Sequence, residues 1–216
     1  MSLLHTAHVP GGDGPFPTLF ALHGWGASAH DLLGLAPAIL EGKALVICPQ
    51  GEVEIPLGRG FSGYGWFTLR PDRPPDPEEF RQASEGLRGF IAEASARYPV
   101  DPERVVALGF SQGGMMGYDL ALREPERFRG LAALSSRFPK PLAESLPKVP
   151  GQEGFPLLIT HGTEDTVIPV DAARESRELL RPFGVTLTYR EFPIGHSIDQ
   201  AVVDLLNDWL AKRALG

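Results

Sequence analysis

Short apolar runs recur along the chain and alternate with segments of helical periodicity. Residues 18–22 (TLFAL) form the first clear run and 44–47 the second, closed by Pro49. Residues 105–109, 131–134 and 157–160 follow. Such unbroken runs read as strands buried on both faces, as in a parallel sheet. Residues 186–192 (TLTYREF) instead alternate, which predicts a strand nearer an edge. Between the runs, residues 77–97 place Phe80, Leu87, Phe90 and Ile91 at helical spacing, with Asp76 as N-cap. Helices are also predicted over 112–123, over 171–180 with Asp171 as its cap, and over 198–210. The last carries Val202, Leu205, Leu206 and Trp209 on one face. This alternation predicts an α/β fold: a mostly parallel twisted sheet with helices on both faces. Residues 1–216 read as one domain. The proline- and glycine-rich stretches 49–77 and 139–156 read as long loops within it, since strands of one sheet flank both.

Composition narrows the function classes. A formal net charge of −7 argues against a general binder of nucleic acid or anionic membranes, as does the lack of any long Lys/Arg run. The single cysteine, Cys48, excludes an internal disulfide and ends an apolar run, so a buried inert thiol is expected. The start, MSLLHTAHVPGG, lacks the pattern of a signal peptide, and no apolar stretch is long enough to span a bilayer. A cytoplasmic protein without membrane insertion is expected.

The segment 105–122, VVALGFSQGGMMGYDLAL, meets G-x-S-x-G at Gly109–Gly113. A buried strand precedes it and an apolar helix follows. That turn holds a serine in a strained conformation, with its hydroxyl at the positive end of the helix. Ser111 is therefore the candidate nucleophile. A serine hydroxyl needs a base to take its proton, and the base needs a partner that fixes its tautomer. In this architecture the partners follow the serine in the order acid, then His. His196, directly after the last strand, is the favoured base, and His161 is read as a structural histidine bonded to loop backbone. Asp165, in the loop after a buried strand, is the favoured acid, with adjacent Glu164 as fallback. Asp119 reads as a surface charge on the helix. Two donors should face the oxyanion. One is the backbone N–H of Gln112; the other is assigned to Trp25 in LHGWGAS, where Gly24 and Gly26 free the backbone. Since both are backbone groups, Gln112→Ala is expected to spare much of the activity. His23 reads as a loop-bonded residue. Gly58, Gly60 and Gly63 formally satisfy G-x-G-x-x-G, but neither the strand nor the helix of a dinucleotide site surrounds them. No cofactor and no metal are expected.

LHGWGAS, GFSQGGMM, HGTEDTVIP and GHSI, with the aromatic segment GWF, come in an order that resembles the phospholipase/carboxylesterase family of α/β-hydrolases, which includes acyl-protein thioesterases. The resemblance covers most of the chain. It implies an esterase with Ser111, Asp165 and His196 as triad and Trp25 and Gln112 as oxyanion pair. Trp25 stands where relatives often carry a small aliphatic residue, and Ala27 where an acidic one is common. Segments 51–65 and 137–155 have no counterpart we can assign. The second is short and proline-dense, which predicts a flap over an open groove rather than a cap domain. Trp25, Phe61, Trp66 and Phe67 are candidate lining for an apolar acyl site. The expected substrate is a small ester with a short to medium acyl chain. A thioesterase or lysophospholipase, a serine peptidase and a non-catalytic module on the same fold are the alternatives. A homodimer through Trp209 and the last helix competes with burial of that face against the sheet.

Overall fold

The computed structural model describes residues 2–70 and 73–215. Seven strands form one sheet. They are β1 (His5–His8), β2 (Phe16–Leu22), β3 (Leu45–Pro49), β6 (Val100–Phe110), β7 (Gly130–Leu134), β8 (Pro156–Gly162) and β9 (Thr186–Phe192), with β4 (Val53–Gly58) and β5 (Phe61–Gly65) forming a separate hairpin. The order across the sheet is β1-β3-β2-β6-β7-β8-β9. Within this sheet, among the described residues, β1 alone runs antiparallel to its neighbour; β3, β2, β6, β7, β8 and β9 are parallel.

The apolar runs explain this sheet. Alternate residues of one strand enter opposite cores. In β2, Phe20 and Leu22 join the core that holds Leu87, Phe90, Met115 and Ala173, while Leu19 and Ala21 join the one that holds Val202, Leu206 and Trp209. The first core lies under α1 (Pro77–Arg97), α2 (Gln112–Arg123), α3 (Lys140–Ser145) and α4 (Val170–Leu180), the second under α5 (Gln200–Trp209). Trp209 is buried there, so within the fold it is core. Asp76 caps α1 by accepting from the Glu78 N–H at 2.8 Å. The alternating β9 is an edge strand. Cys48 is buried, and burial pushes its thiol up to about 12.

Several local expectations differ. β1 was not anticipated, because four half-buried residues, HTAH, carry little apolar signal. The stretch 49–77 is not a loop throughout: it contains the β4–β5 hairpin, paired from Val53 opposite Gly65 to Gly58 opposite Phe61. Residues 139–156 contain the short α3. Asp171 is not a cap. Pro169 occupies that position, and the Asp171 carboxylate pairs with Arg174 in the first turn. Asp119 is not on the surface. α1 packs over it, and its carboxylate meets Ser84 Oγ, Arg88 Nη1 at 3.2 Å and Arg123 Nη2 at 2.8 Å.

Register decides where a site can form. Leu22 lies opposite Gly109, Phe110 opposite Leu134, Leu134 opposite Thr160, and Gly162 opposite Phe192. The carboxyl ends of β2, β6, β7, β8 and β9 therefore reach one rim, where open α/β sheets bind ligands.

Candidate active site

Ser111 joins β6 to α2 at φ 53°, ψ −117°, a strained backbone for a residue with a side chain. The surroundings over-determine it. A Cβ at Gly109 would stand 2.4 Å from the Gly113 carbonyl oxygen, and one at Gly113 would stand 2.0 Å from that of Leu22. Only glycine at both positions lets strand and helix close this tightly. The Ser111 N–H donates to Leu134 O at 2.9 Å, and Ser136 Oγ donates to Ser111 O at 2.7 Å. The turn is thus pinned from the end of β7. The second residue of the pair Ser135-Ser136 supplies that pin, a role with no signature in the sequence.

Asp165 lies in the turn after β8 with its side chain buried. Its Oδ1 accepts from the N–H groups of Val167 and Ile168, each at 2.8 Å. Its Oδ2 accepts from His196 Nδ1 at 2.7 Å. Burial alone pushes this carboxyl up. The His196 bond, followed by those from Ile168 and Val167, outweighs it and holds the group below its ordinary value. Adjacent Glu164 is exposed, and its own N–H donates to Ile194 O at 3.0 Å, joining the Asp165 and His196 loops.

His196 is half-buried in the loop after β9, its ring 4.9 Å from the ring of Phe110, the residue before Ser111. With Nδ1–H given to Asp165, Nε2 is the ring nitrogen whose lone pair stays free. Among the described residues no hydrogen bond runs from Ser111 Oγ to His196 in this conformation. Such bonds are often long before substrate arrives and tighten in the complex. His161 bonds loop backbone through Nε2, 2.7 Å from Ile168 O. The same nitrogen is 3.3 Å from Asp165 Oδ2, so this buried ring also touches the acid. The sequence reading missed that second contact; the i, i+4 spacing of His161 and Asp165 was its one available signal.

Trp25 and Gln112 flank this centre. Gln112 opens α2, where an N–H has no acceptor inside the helix. The Trp25 N–H makes no hydrogen bond among the described residues, while Gly26 N–H donates to Tyr64 O at 2.9 Å and Tyr64 N–H to Ala27 O at 2.7 Å. The hairpin strand β5 is therefore zipped to the Trp25 loop. His23 is buried, with Nδ1 2.7 Å from Gly24 O and Nε2 accepting from Gly51 N–H at 3.0 Å. These bonds make it the neutral Nδ1–H tautomer, and burial lowers its pKa against the raising effects of Gly24 and Asp31.

The four candidate pocket residues differ widely in exposure. Phe67 is fully buried and packs on Phe80, because α1 covers the chain leaving β5. Trp66 is 4% exposed; its indole N–H donates to His23 O at 2.9 Å and its ring stacks on His23. Both serve as wall rather than as open lining. Phe61 is 71% exposed near the hairpin tip, and Trp25 alone of the four is half-exposed, its ring against Gly65.

A profile of the phospholipase/carboxylesterase family matches residues 6–214. Acyl-protein thioesterase 1 of Neurospora crassa is 32% identical over 214 residues, which cover 91% of this chain and 86% of that protein. NocK of Nocardia uniformis subsp. tsuyamanensis is 34% identical over 168 residues, 72% of this chain but only 42% of that longer protein. The crystal structure of the Bacillus cereus carboxylesterase superposes with a TM-score of 0.82 at 24% identity, covering 98% of this chain and 94% of that one. No helix among the described residues is long and apolar enough to cross a membrane. Sheet order, the strained serine turn and the full-length match together make this chain a member of the phospholipase/carboxylesterase family, with the α/β-hydrolase fold.

Proposed function

We propose that the protein is a serine hydrolase of carboxylic esters, working through Ser111, His196 and Asp165 and an acyl-enzyme. The observation that carries this reading is the 2.7 Å bond between Asp165 and His196, made by two loops on the same rim as the strained Ser111 turn. His196 Nε2 takes the Ser111 proton as Oγ attacks the ester carbonyl. The oxyanion forms between the N–H groups of Trp25 and Gln112. His196 then protonates the leaving alcohol, and water resolves the acyl-enzyme by the same route. Asp165 keeps its charge and stabilises the imidazolium; a carboxyl held low in pKa suits that task. Each oxyanion donor is worth roughly 10²–10³ in kcat in comparable sites.

Acyl groups of short to medium length are the proposed substrates. The segment between β7 and β8 holds only the six-residue α3, too little for a cap that would enclose a long chain. Thioester hydrolysis is the second reading, favoured by the full-length likeness to a protein named acyl-protein thioesterase 1. Labelling with a fluorophosphonate tests the assignment. One adduct at Ser111 is expected, with labelling strongly slowed in His196→Ala; near-normal ester turnover by Ser111→Ala would sink it. Competition between matched oxygen- and thioesters then ranks the two substrate classes.

A further inference from the structure

The Gln112 side chain has no place in the reaction above, yet it is completely buried at the nucleophile and bonded at both ends. Its Oε1 accepts from the Trp66 N–H at 2.9 Å, and its Nε2 donates to Phe67 O at 2.7 Å. Trp66 directly follows β5, the strand whose Tyr64 exchanges two backbone bonds with the Trp25 loop. Gly65 lies between these bonds. A Cβ there would stand 2.3 Å from a Trp25 ring carbon and 3.1 Å from Gln112 Oε1. One continuous line of contact therefore runs from the first residue of α2, through its amide and the end of β5, to the loop that carries the Trp25 N–H.

We propose that the Gln112 side chain is a positioning residue that sets the separation of the two oxyanion donors. The inference rests on the reading of Ser111 as nucleophile and of Trp25 and Gln112 as the backbone donors. Gln112 then acts twice: its N–H is one donor, and its amide holds the strand that holds the other. The chemistry is specific to glutamine. A carboxylate at the same place loses the donor to Phe67 O. An apolar side chain, alanine included, leaves a buried N–H and a buried carbonyl without partners, which reverses the expectation from the sequence that Gln112→Ala spares much of the activity; asparagine is one methylene too short. Among the described residues the Trp25 loop is otherwise tied to this segment by the two Tyr64 backbone bonds and by the Trp66 indole N–H to His23 O, all of which depend on where the end of β5 lies, and a donor displaced by about 1 Å loses much of its effect on a developing oxyanion.

The test compares Gln112→Met and Gly65→Ala with the parent protein, on p-nitrophenyl butyrate and on a butyl trifluoromethyl ketone. The ketone adds to the serine and leaves an oxyanion in the hole. In Gln112→Met we expect kcat to fall about 10- to 100-fold with KM changed less than about 3-fold. The inhibition constant of the ketone should rise in step with the loss in kcat/KM. Gly65→Ala forces Trp25 and Gln112 apart from the other side. It should give the same paired loss, and it carries the test if Gln112→Met does not fold. A folded variant whose kcat drops while its affinity for the ketone is unchanged overturns the proposal, since the amide would then matter only to the fold. Unchanged kcat in Gly65→Ala overturns it as well. Failure of the underlying reading looks different: Ser111→Ala would keep its turnover, and the ketone would bind parent and Ser111→Ala alike.

Discussion

Two buried carboxylates, Asp119 and Asp165, show how one residue type takes opposite roles. Both side chains are shielded from water. Asp119 sits mid-helix between α1 and α2 and faces two guanidinium groups and a hydroxyl. Its charge is fully matched by groups that do not change state, so it holds two helices together. Asp165 sits in a turn at the end of β8, fixed by two backbone N–H groups, and its other oxygen faces an imidazole. Its partner is an imidazole, a group that can accept a proton and pass it on, and that partner reaches a half-exposed rim. What separates an acid of the fold from an acid of the proposed reaction is therefore the partner and the element that carries it, rather than the degree of burial.

Substitutions that remove the charge but keep the shape test this contrast most sharply. Asp165→Asn is expected to lower kcat by roughly 10⁴, because the amide leaves His196 in the wrong tautomer. Ester turnover with a circular-dichroism melt checks it, and the melt should move far less than the rate. Asp119→Asn should do the reverse. Leaving Arg88 and Arg123 facing an uncharged group is expected to cost about 3 kcal/mol or more, read by urea unfolding, with turnover per folded molecule within about 3-fold of the parent. Equal losses of rate in the two variants would erase the distinction.

His161 gives a smaller perturbation of the same acid. His161→Phe removes the donor to Ile168 O and the 3.3 Å contact with Asp165. A loss of about 1–2 kcal/mol in stability is expected, with a several-fold drop in kcat. Retention of full activity would restrict His161 to the fold.

The smallest effect concerns pH. Burial lowers the His23 pKa below 6.5, so the unfolded chain binds more protons than the fold below that value. Stability should be unaffected by His23 above pH 6.5 and fall as pH drops from there toward its folded value. Asp165 acts at lower pH: its depressed pKa stabilises the fold above 3.8 and that contribution fades as pH falls through the folded value. Denaturant unfolding between pH 8 and 5 should show the His23 slope, flattened in His23→Gln.

Much of this was legible in the residues. The buried strands are unbroken apolar runs, α1 announces itself by its spacing and its Asp76 cap, and the Ser111 turn by glycines that leave room for nothing larger. The contacts that tie the rim together were not legible. Nothing local marks HTAH as an edge strand, or Asp119 as buried: one depends on β3 offering its free edge, the other on α1 lying across α2. Trp66 and Phe67 carried the right chemistry for a pocket, yet α1 and His23 took their faces.

By itself the sequence determined which strands are buried, where the chain must turn tightly, and the chain order of the candidate serine, carboxylate and histidine. Those follow from short-range causes: hydrophobic period, φ limits and chain order. Only the tertiary structure decided that Asp165 meets His196, that Ser136 pins the Ser111 turn, and that the Gln112 amide ties the end of β5 to that turn. Each of those bonds joins residues more than twenty positions apart, and its length is set by sheet register and helix packing, which no local pattern encodes.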